Sequence, residues 1–274
     1  MSCPHTSETL SKVLIDCLFD WNVDRKLASL TVDNCTTNDV LINILLGKLS
    51  SSSLILNGKF FHMRCCAHIL NLIVKEGLEV IKESVEKIRE SVAFWVATPK
   101  RLEKFVEITR QLNICCDKKL VLDCKTRWNS TFLMLSTAID YKDVFPRLSH
   151  REPQYKYVPN DLDWNLAKEI CERLELFYEV TEMFYGTKYP TSNLYFPNIC
   201  EIKLSMCNWI GSPYVEIRLM TTNMIEKFNK YWGEIHNLLA VATVLDPRFK
   251  MKLVEFYFPK IFGNEDSKYE IEKV

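Results

Sequence analysis

Residues 26–39 read Lys-Leu-Ala-Ser-Leu-Thr-Val-Asp-Asn-Cys-Thr-Thr-Asn-Asp, an apolar run that stops at an aspartate and gives way to small polar residues. Leu27 to Val32 has the length and the β-branched ending of a buried strand. Residues 34–38 supply turn and N-cap chemistry before the apolar segment 40–46, which is typical of a helix. This order predicts that Asp33 lies at the C-terminal edge of a sheet, where α/β folds bind their ligands. The alternative is an Asx-turn aspartate that only caps the next helix.

The composition is that of a globular chain without a strong charge bias. Of its 274 residues, 47% are hydrophobic, which is enough for one large or two ordinary domains. Basic and acidic residues both number 35, so any contact with DNA must come from a local basic patch. The 11 cysteines form no regular framework, which favours reduced thiols in the cytosol or nucleus. No secretion signal or membrane partner is expected, because no apolar run approaches the ~20 residues that cross a bilayer.

The rest of the chain is predicted to be mostly helical, with a small α/β part at its start. A second short strand is predicted at Lys59 to Met63, just before the charged and apolar residues begin to alternate with helical spacing. Prolines and weak periodicity predict irregular connections near residues 149–162 and 185–198. After residue 160, helices are expected at residues 163–184, 199–206, 214–231, 234–245 and 249–258, with fraying from residue 263 onward.

Cys65 and His68 form the first candidate site beyond Asp33. Their i, i+3 spacing places both side chains on one face of a predicted helix. No Cys-x-x-Cys and no second pair with ligand spacing occurs, so a packed cysteine and a hydrogen-bonded histidine are favoured over a zinc site or a nucleophilic pair. The sequence also lacks a glycine-rich phosphate loop, His-Glu-x-x-His and Gly-x-Ser-x-Gly, which excludes those enzyme classes.

A second candidate is the stretch Thr126-Arg127-Trp128-Asn129, which follows Lys125. In such a set the cations can bind a phosphate, and the aromatic ring can stack on a base. The plainer interpretation is a tryptophan that anchors the core among solvated lysines, and for one isolated instance that interpretation is favoured.

Taken together and in order, these stretches resemble the motif series of the hAT-superfamily transposases. The resemblance rests on residues 31–39, 64–74 and 123–131, and continues through residues 189–196, 227–232 and 238–251. It covers essentially the whole chain and is nearest to the plant zinc-finger-BED RICESLEEPER/DAYSLEEPER type of domesticated transposase.

The resemblance implies a partial RNase H-like core at residues 1–63, followed by a large all-helical insertion domain at residues 64–274. Intact members of the family cut and rejoin DNA with two Mg²⁺ ions, which an Asp-Asp-Glu triad holds. Asp33 matches the second aspartate of that triad. The first aspartate is expected upstream of this chain and the glutamate downstream, together with the BED zinc finger and the dimerisation region.

The same resemblance assigns roles to the other candidates. Cys65 and His68 match a Cys-x-x-His element that supports the active site. Trp128 matches a tryptophan that stacks on a flipped base, and Arg127 lies beside it as a phosphate contact. The DNA-binding set expected from the resemblance is Arg64, Lys125, Arg127 and Trp128.

One carboxylate cannot hold two catalytic cations, because each cation needs several oxygen ligands. The resemblance therefore predicts a nuclear, domesticated transposase-derived protein in which Asp33 is a vestigial metal ligand. We expect no cofactor in this chain, no enzymatic activity and only weak binding to DNA. One alternative is a helical protein-interaction module, or a degenerate remnant without DNA binding. Another is a metal-dependent transposase, if flanking regions supply the missing carboxylates.

Overall fold

The computed structural model describes residues 6–186, 190–272 and 274, without the side chains of residues 232–238. Helices dominate, and two short strands form a small sheet, so the predicted mostly helical chain with a small α/β part is confirmed. Short 3-10 turns at residues 51–53 and 55–58 precede the second strand. The elements are α1 (Ser7–Asp20), β1 (Leu30–Val32), α2 (Thr36–Lys48), β2 (His62–Arg64), α3 (Cys66–Val80), α4 (Lys82–Val96), α5 (Pro99–Gln111), α6 (Trp128–Asp140), α7 (Val144–Ser149), α8 (Asp161–Phe184), α9 (Ser192–Trp209), α10 (Val215–Val244) and α11 (Lys250–Glu272).

The two strands pair in parallel and bring two distant loop starts together. Val32 pairs with Arg64 at the carboxyl ends of β1 and β2, and the Cys65 amide donates to the Val32 carbonyl at 2.8 Å. Asp33 and Cys65 are the residues that follow these paired ends, so both lie at the same sheet edge. The predicted position of Asp33 at the C-terminal end of a strand is confirmed, although each strand is shorter than predicted.

The described residues form two separate clusters of buried apolar side chains. The smaller cluster lies beneath α2 and the following turns, and partly buried residues of α1 and β1 pack against it. The larger one extends from Ile69 on α3 to Phe258 on α11. Met63 packs against the larger cluster, whereas Phe61 belongs to the smaller one. The buried members of the smaller cluster are Leu41, Ile42, Leu45, Leu49, Leu54 and Phe61.

The predicted irregular segment 185–198 is wrong at its C-terminal end, because α9 already begins at Ser192 and contains Pro197. A proline inside a helix leaves the carbonyl four residues earlier without its usual donor. Here that carbonyl belongs to Asn193, and the hydroxyl of Thr243 donates to it at 2.9 Å. A contact from α10 therefore allows the helix to include this proline. Residues 187–189 lie outside the described part of the chain.

Two more helical predictions differ from the structure. The helices predicted at residues 214–231 and 234–245 form the single helix α10, because one interior glycine costs a helix only about 1 kcal/mol. Helix α11 continues to Glu272 across Pro259 and across a kink at Gly263, where φ is 81°. Fraying was predicted from residue 263, but the chain is helical again beyond this kink as far as Glu272.

Gly77 allows α3 to approach α10 closely. A Cβ atom at this position would lie 2.7 Å from the Cγ and Sδ atoms of Met224 and 2.9 Å from the Cγ of Met220. Real Cβ contacts are almost never that short, so a larger side chain would push the two helices apart.

We therefore expect Gly77→Val to lower the free energy of unfolding by about 1–3 kcal/mol, the usual cost of overpacking a well-filled core. Urea denaturation monitored by circular dichroism measures this. Gly47→Val on α2 is the matched control, because no neighbouring atom lies within 4 Å of its added Cβ. Equal effects of the two substitutions would contradict a steric role for Gly77.

Candidate nucleic-acid interface

An open cleft of about 620 Å³ lies between the sheet edge and the ends of α3, α6 and α8. It gathers five of the seven predicted site residues, although these come from three separate segments of the sequence. The five are Asp33, Cys65, His68, Arg127 and Trp128. The rest of the lining consists of Ala67, Asn71, Thr126, Asn129, Ser130, Thr181 and Tyr185.

Asp33 contributes an exposed carboxylate to one wall of the cleft. Its Oδ1 atom accepts from the Cys35 amide at 3.2 Å and from the Asn38 side-chain amide at 2.6 Å. The first contact is an Asx turn, so that part of the alternative interpretation is confirmed. The helix-capping part is wrong, because the N-cap of α2 is Cys35 and makes no side-chain capping bond. A turn and a place in the cleft are therefore compatible roles for Asp33.

The N-terminus of α3 forms a second part of the cleft. Cys65 is its N-cap and makes no side-chain capping bond, and His68 lies in the first turn. Uncapped amides at a helix N-terminus carry partial positive charge and attract anions. The neighbouring Cys66 is a different kind of thiol, because burial raises its pKa to about 12. Cys66 is therefore a packed core residue and not a reactive group.

The N-terminus of α6 faces the same cleft. Arg127 is its N-cap and is exposed, and within residues 6–186 and 190–272 no carboxylate forms an ion pair with its guanidinium. The Ser130 hydroxyl accepts from the Cys124 amide at 2.8 Å and lies 2.7 Å from the Arg127 carbonyl, which ties the preceding loop to the helix. Two helix N-termini and one unpaired arginine together make a favourable environment for a phosphate group.

A buried ion pair holds the loop that carries Arg127. The Nε and Nη2 atoms of Arg89 on α4 donate to the two carboxylate oxygens of Asp123 at 2.8 Å each. The Thr131 hydroxyl donates to the Oδ2 atom of the same carboxylate at 2.6 Å. The Asp123 side chain is 0% exposed. Burial alone would raise the pKa of this carboxyl, but the hydrogen bonds from Arg89 and Thr131 hold it below its ordinary value. The charged pair thus anchors residues 123–131 on α4.

Trp128 lies in the cleft floor and not on its surface. The residue is only 3% exposed, and its ring centroid lies 6.4 Å from that of Phe132 and 6.5 Å from that of Phe177. Removing a buried tryptophan ring from a core lowers the free energy of unfolding by about 3–5 kcal/mol. Stacking on one base contributes only about 1–3 kcal/mol to the binding free energy. The core-anchor interpretation is confirmed. The base-stacking role stays a prediction, and it would require the ring to leave the core.

Arg64 and Lys125 do not line the cleft. The Nη1 atom of Arg64 lies 3.5 Å from an oxygen of Asp39 and 3.5 Å from the side-chain oxygen of Asn34. The Lys125 ammonium lies 3.0 Å from a Glu86 oxygen. Both cations are therefore engaged with neighbouring side chains, and their expected contacts with DNA stay predictions.

The described residues do not fit a two-metal centre. Within the described ranges, no group of three or more histidine, cysteine, aspartate or glutamate side chains is close enough to hold a metal ion. The cleft offers one carboxylate, Asp33, whereas two Mg²⁺ ions require several oxygen ligands in near-fixed geometry. No chemical step through metal ions follows from this arrangement.

Asn71, Thr181 and Tyr185 are among the cleft residues that were not predicted as site residues from the sequence. Asn71 lies on α3 beyond His68, whereas Thr181 and Tyr185 come from the C-terminal end of α8. The Thr181 hydroxyl is buried and has no hydrogen-bond partner among the described residues. Tyr185 is 63% exposed. No local sequence pattern marks either residue, because only the packing of α8 against α3 and α6 brings them to the cleft.

Comparison with protein families matches three consecutive models to the chain. A ZBED1 RNase-like domain matches residues 1–60, and a ZBED1 RNase-like helical domain matches residues 63–173. A hAT-like transposase model with an RNase-H fold matches residues 193–274. This last match lies within the range that the sequence analysis predicted to be helical insertion.

Similar proteins come from several plants. Zinc finger BED domain-containing protein RICESLEEPER 2 of Oryza sativa subsp. japonica is 40% identical over 98% of the chain. A putative AC transposase of Zea mays is 38% identical over 95%, and DAYSLEEPER of Arabidopsis thaliana is 34% identical over 97%. The chain spans 38%, 33% and 38% of these three proteins, respectively. The chain therefore belongs to the family of hAT-superfamily transposases and their RICESLEEPER/DAYSLEEPER-type relatives.

Proposed function

We propose that this chain is a DNA-associated, transposase-derived protein of the nucleus that does not cut DNA by itself. One observation carries the proposal: five residues predicted from separate motifs line a single open cleft. Residues 1–63 would be part of an RNase H-like core, and helices from the rest of the chain would complete the DNA-facing surface. Relatives named as transposases and as zinc-finger-BED proteins support a DNA partner and a nuclear location.

The attraction to DNA would come from the cleft and not from the whole molecule. Acidic and basic residues balance over the chain, so long-range attraction to a polyanion is weak. At the cleft, however, Arg127 and the N-termini of α3 and α6 present positive charge to a single region. This arrangement supports contact with one or two phosphates of a strand.

The absence of cleavage is part of the same proposal. Asp33 is the one carboxylate that lines the cleft as described, and a lone carboxylate does not position two cations. Incubation of the chain with DNA and Mg²⁺ or Mn²⁺ is therefore expected to leave the strands intact. Metal-dependent cleavage that disappears in Asp33→Ala would contradict the proposal.

We expect the affinity for a short DNA duplex with a single-stranded tail to fall steeply with salt, because phosphate contacts release counterions. Arg127→Gln should weaken binding about fivefold at low salt and reduce the slope of log affinity against log salt by about 1. Fluorescence anisotropy over a salt titration measures both quantities.

Arg25→Gln is the matched control for that titration. Its side chain is well exposed and does not line the cleft, so we expect the affinity and the salt slope of this variant to match those of the unmodified chain. No binding at low salt, or an equal loss in both variants, would reject the cleft as the DNA-binding surface.

A second candidate function is a protein-interaction module. A smaller apolar pocket of about 280 Å³ lies between residues 55–63 and the end of α10, and Leu245 at its edge is largely exposed. Apolar surface of this kind is typical of protein-binding sites. Partner capture that survives Arg127→Gln, together with no binding of DNA, would favour this function over the first.

A further inference from the structure

We propose that Tyr185, and not Trp128, is the side chain on which an unpaired base of the bound strand stacks. This inference rests on the proposed function and adds the part of the nucleic acid that the cleft would hold. It assigns a role to a residue that lies more than fifty positions away from the Arg127 motif.

Exposure distinguishes Trp128 from Tyr185, the two residues with large aromatic rings among the described residues that line the cleft. Trp128 is held among Phe132 and Phe177 in the floor, so its faces are not available to a ligand. Tyr185 caps the C-terminal end of α8 and also lines the cleft. Among the described residues no aromatic ring packs against it and no side chain bonds its hydroxyl. An open ring at a cleft wall is a ready platform for a base.

The surroundings of Tyr185 suit a nucleotide better than a purely apolar ligand. Asn71 and Asn129 bring side-chain amides to the same cleft, and amides can donate to and accept from the edges of a base. The buried hydroxyl of Thr181, one helical turn before Tyr185, has no partner. Arg127 and the two helix N-termini lie in the same cleft for the adjoining phosphate. The cleft therefore combines a stacking ring, polar groups and a phosphate site.

Fluorescence of 2-aminopurine tests the proposal, since stacking on an aromatic ring quenches this base. The probe is a short duplex with a single-stranded tail that carries one 2-aminopurine, and an otherwise identical tail with an abasic site is the comparison. We expect quenching with the unmodified chain and with Tyr185→Phe, which keeps the ring. Tyr185→Leu should lose the quenching and bind the tail roughly 5- to 150-fold more weakly, the usual range for one stacked base.

Tyr157→Leu is the matched control, because Tyr157 is exposed but does not line the cleft. This variant should quench the probe and bind the tail as the unmodified chain does. Tyr185→Leu should bind the abasic tail as the unmodified chain does. Competition by a nucleoside monophosphate as strong as by the tail would show that the site takes free nucleotides, which keeps the stacking role but replaces the strand as ligand.

The outcomes separate the two proposals. DNA binding with quenching that persists in Tyr185→Leu, or that is lost in Trp128→Phe but not in Tyr185→Leu, would overturn the assignment to Tyr185 and leave the proposed function intact. No binding of any tail by the unmodified chain at low salt would overturn both.

Discussion

Asp123→Ala is expected to lower the free energy of unfolding by about 1–3 kcal/mol, the usual cost of leaving buried hydrogen-bond donors unsatisfied. The substitution removes the carboxylate that accepts two hydrogen bonds from the largely buried Arg89 guanidinium, which keeps Glu86 as its remaining carboxylate partner. It also removes the acceptor of the Thr131 hydroxyl. Urea denaturation at pH 7 measures the loss.

Asp140→Ala is the matched control, because Asp140 lies on the following helix and forms an exposed pair with Lys118 at 3.2 Å. Exposed pairs contribute at most about 1 kcal/mol. A loss in Asp123→Ala no larger than that in Asp140→Ala would mean that the buried pair does not anchor the loop. We also expect Asp123→Ala to weaken DNA binding in the remaining folded protein, since residues 124–130 position Arg127.

The contribution of Asp123 should depend on pH in a defined direction. Its pKa in the folded protein is lower than its ordinary value, which is about 3.9 in an unfolded chain. The stabilisation is therefore fully present above that value and is lost as the pH falls towards the folded pKa. The stability difference between the unmodified chain and Asp123→Asn should be constant near neutrality and shrink below about pH 4. A constant difference down to pH 3 would contradict this linkage.

Trp128→Ala is the second substitution for which we expect a large effect, a loss of about 3–5 kcal/mol in the free energy of unfolding. Its ring is buried against Phe132 and Phe177, so the variant loses apolar contacts and leaves a cavity beside α8. Binding of DNA by the folded fraction should stay within about threefold, because little of the ring faces the cleft and a threefold change is only about 0.7 kcal/mol.

Trp21→Ala provides the comparison, since Trp21 is 76% exposed and surface substitutions usually change stability by less than about 0.5 kcal/mol. The result that would contradict our interpretation is a Trp128→Ala variant that is as stable as Trp21→Ala yet loses most of its affinity for DNA. In that case the ring would act on the ligand and not on the core.

Several features could be predicted from short stretches of sequence. The strand that ends just before Asp33 and the helix that begins after Cys65 follow from local patterns of apolar and turn residues. These patterns are local because hydrogen bonding and burial repeat along one element. The order of the motifs also indicated the family, which the comparisons show.

Helix boundaries near prolines and glycines were less predictable. The irregular segment expected at residues 185–198 ends at Ser192, because Thr243 satisfies the carbonyl that Pro197 leaves open. That donor comes from a helix fifty residues away. A local pattern contains no information about such a partner, so a rule based on proline alone places the boundary incorrectly.

By itself, the sequence determined which polar and charged groups are available for the candidate site, since Asp33, Cys65, His68 and Arg127 stand in motifs that can be read one at a time. Only the tertiary structure decided which of these residues lie together and which side chains are exposed. Parallel pairing of β1 with β2 places Asp33 beside Cys65. Packing of α8 against α3 and α6 buries Trp128 and leaves Tyr185 open to the cleft. The physical reason is that exposure depends on neighbours from distant segments, whereas the sequence shows only which groups are available to be exposed.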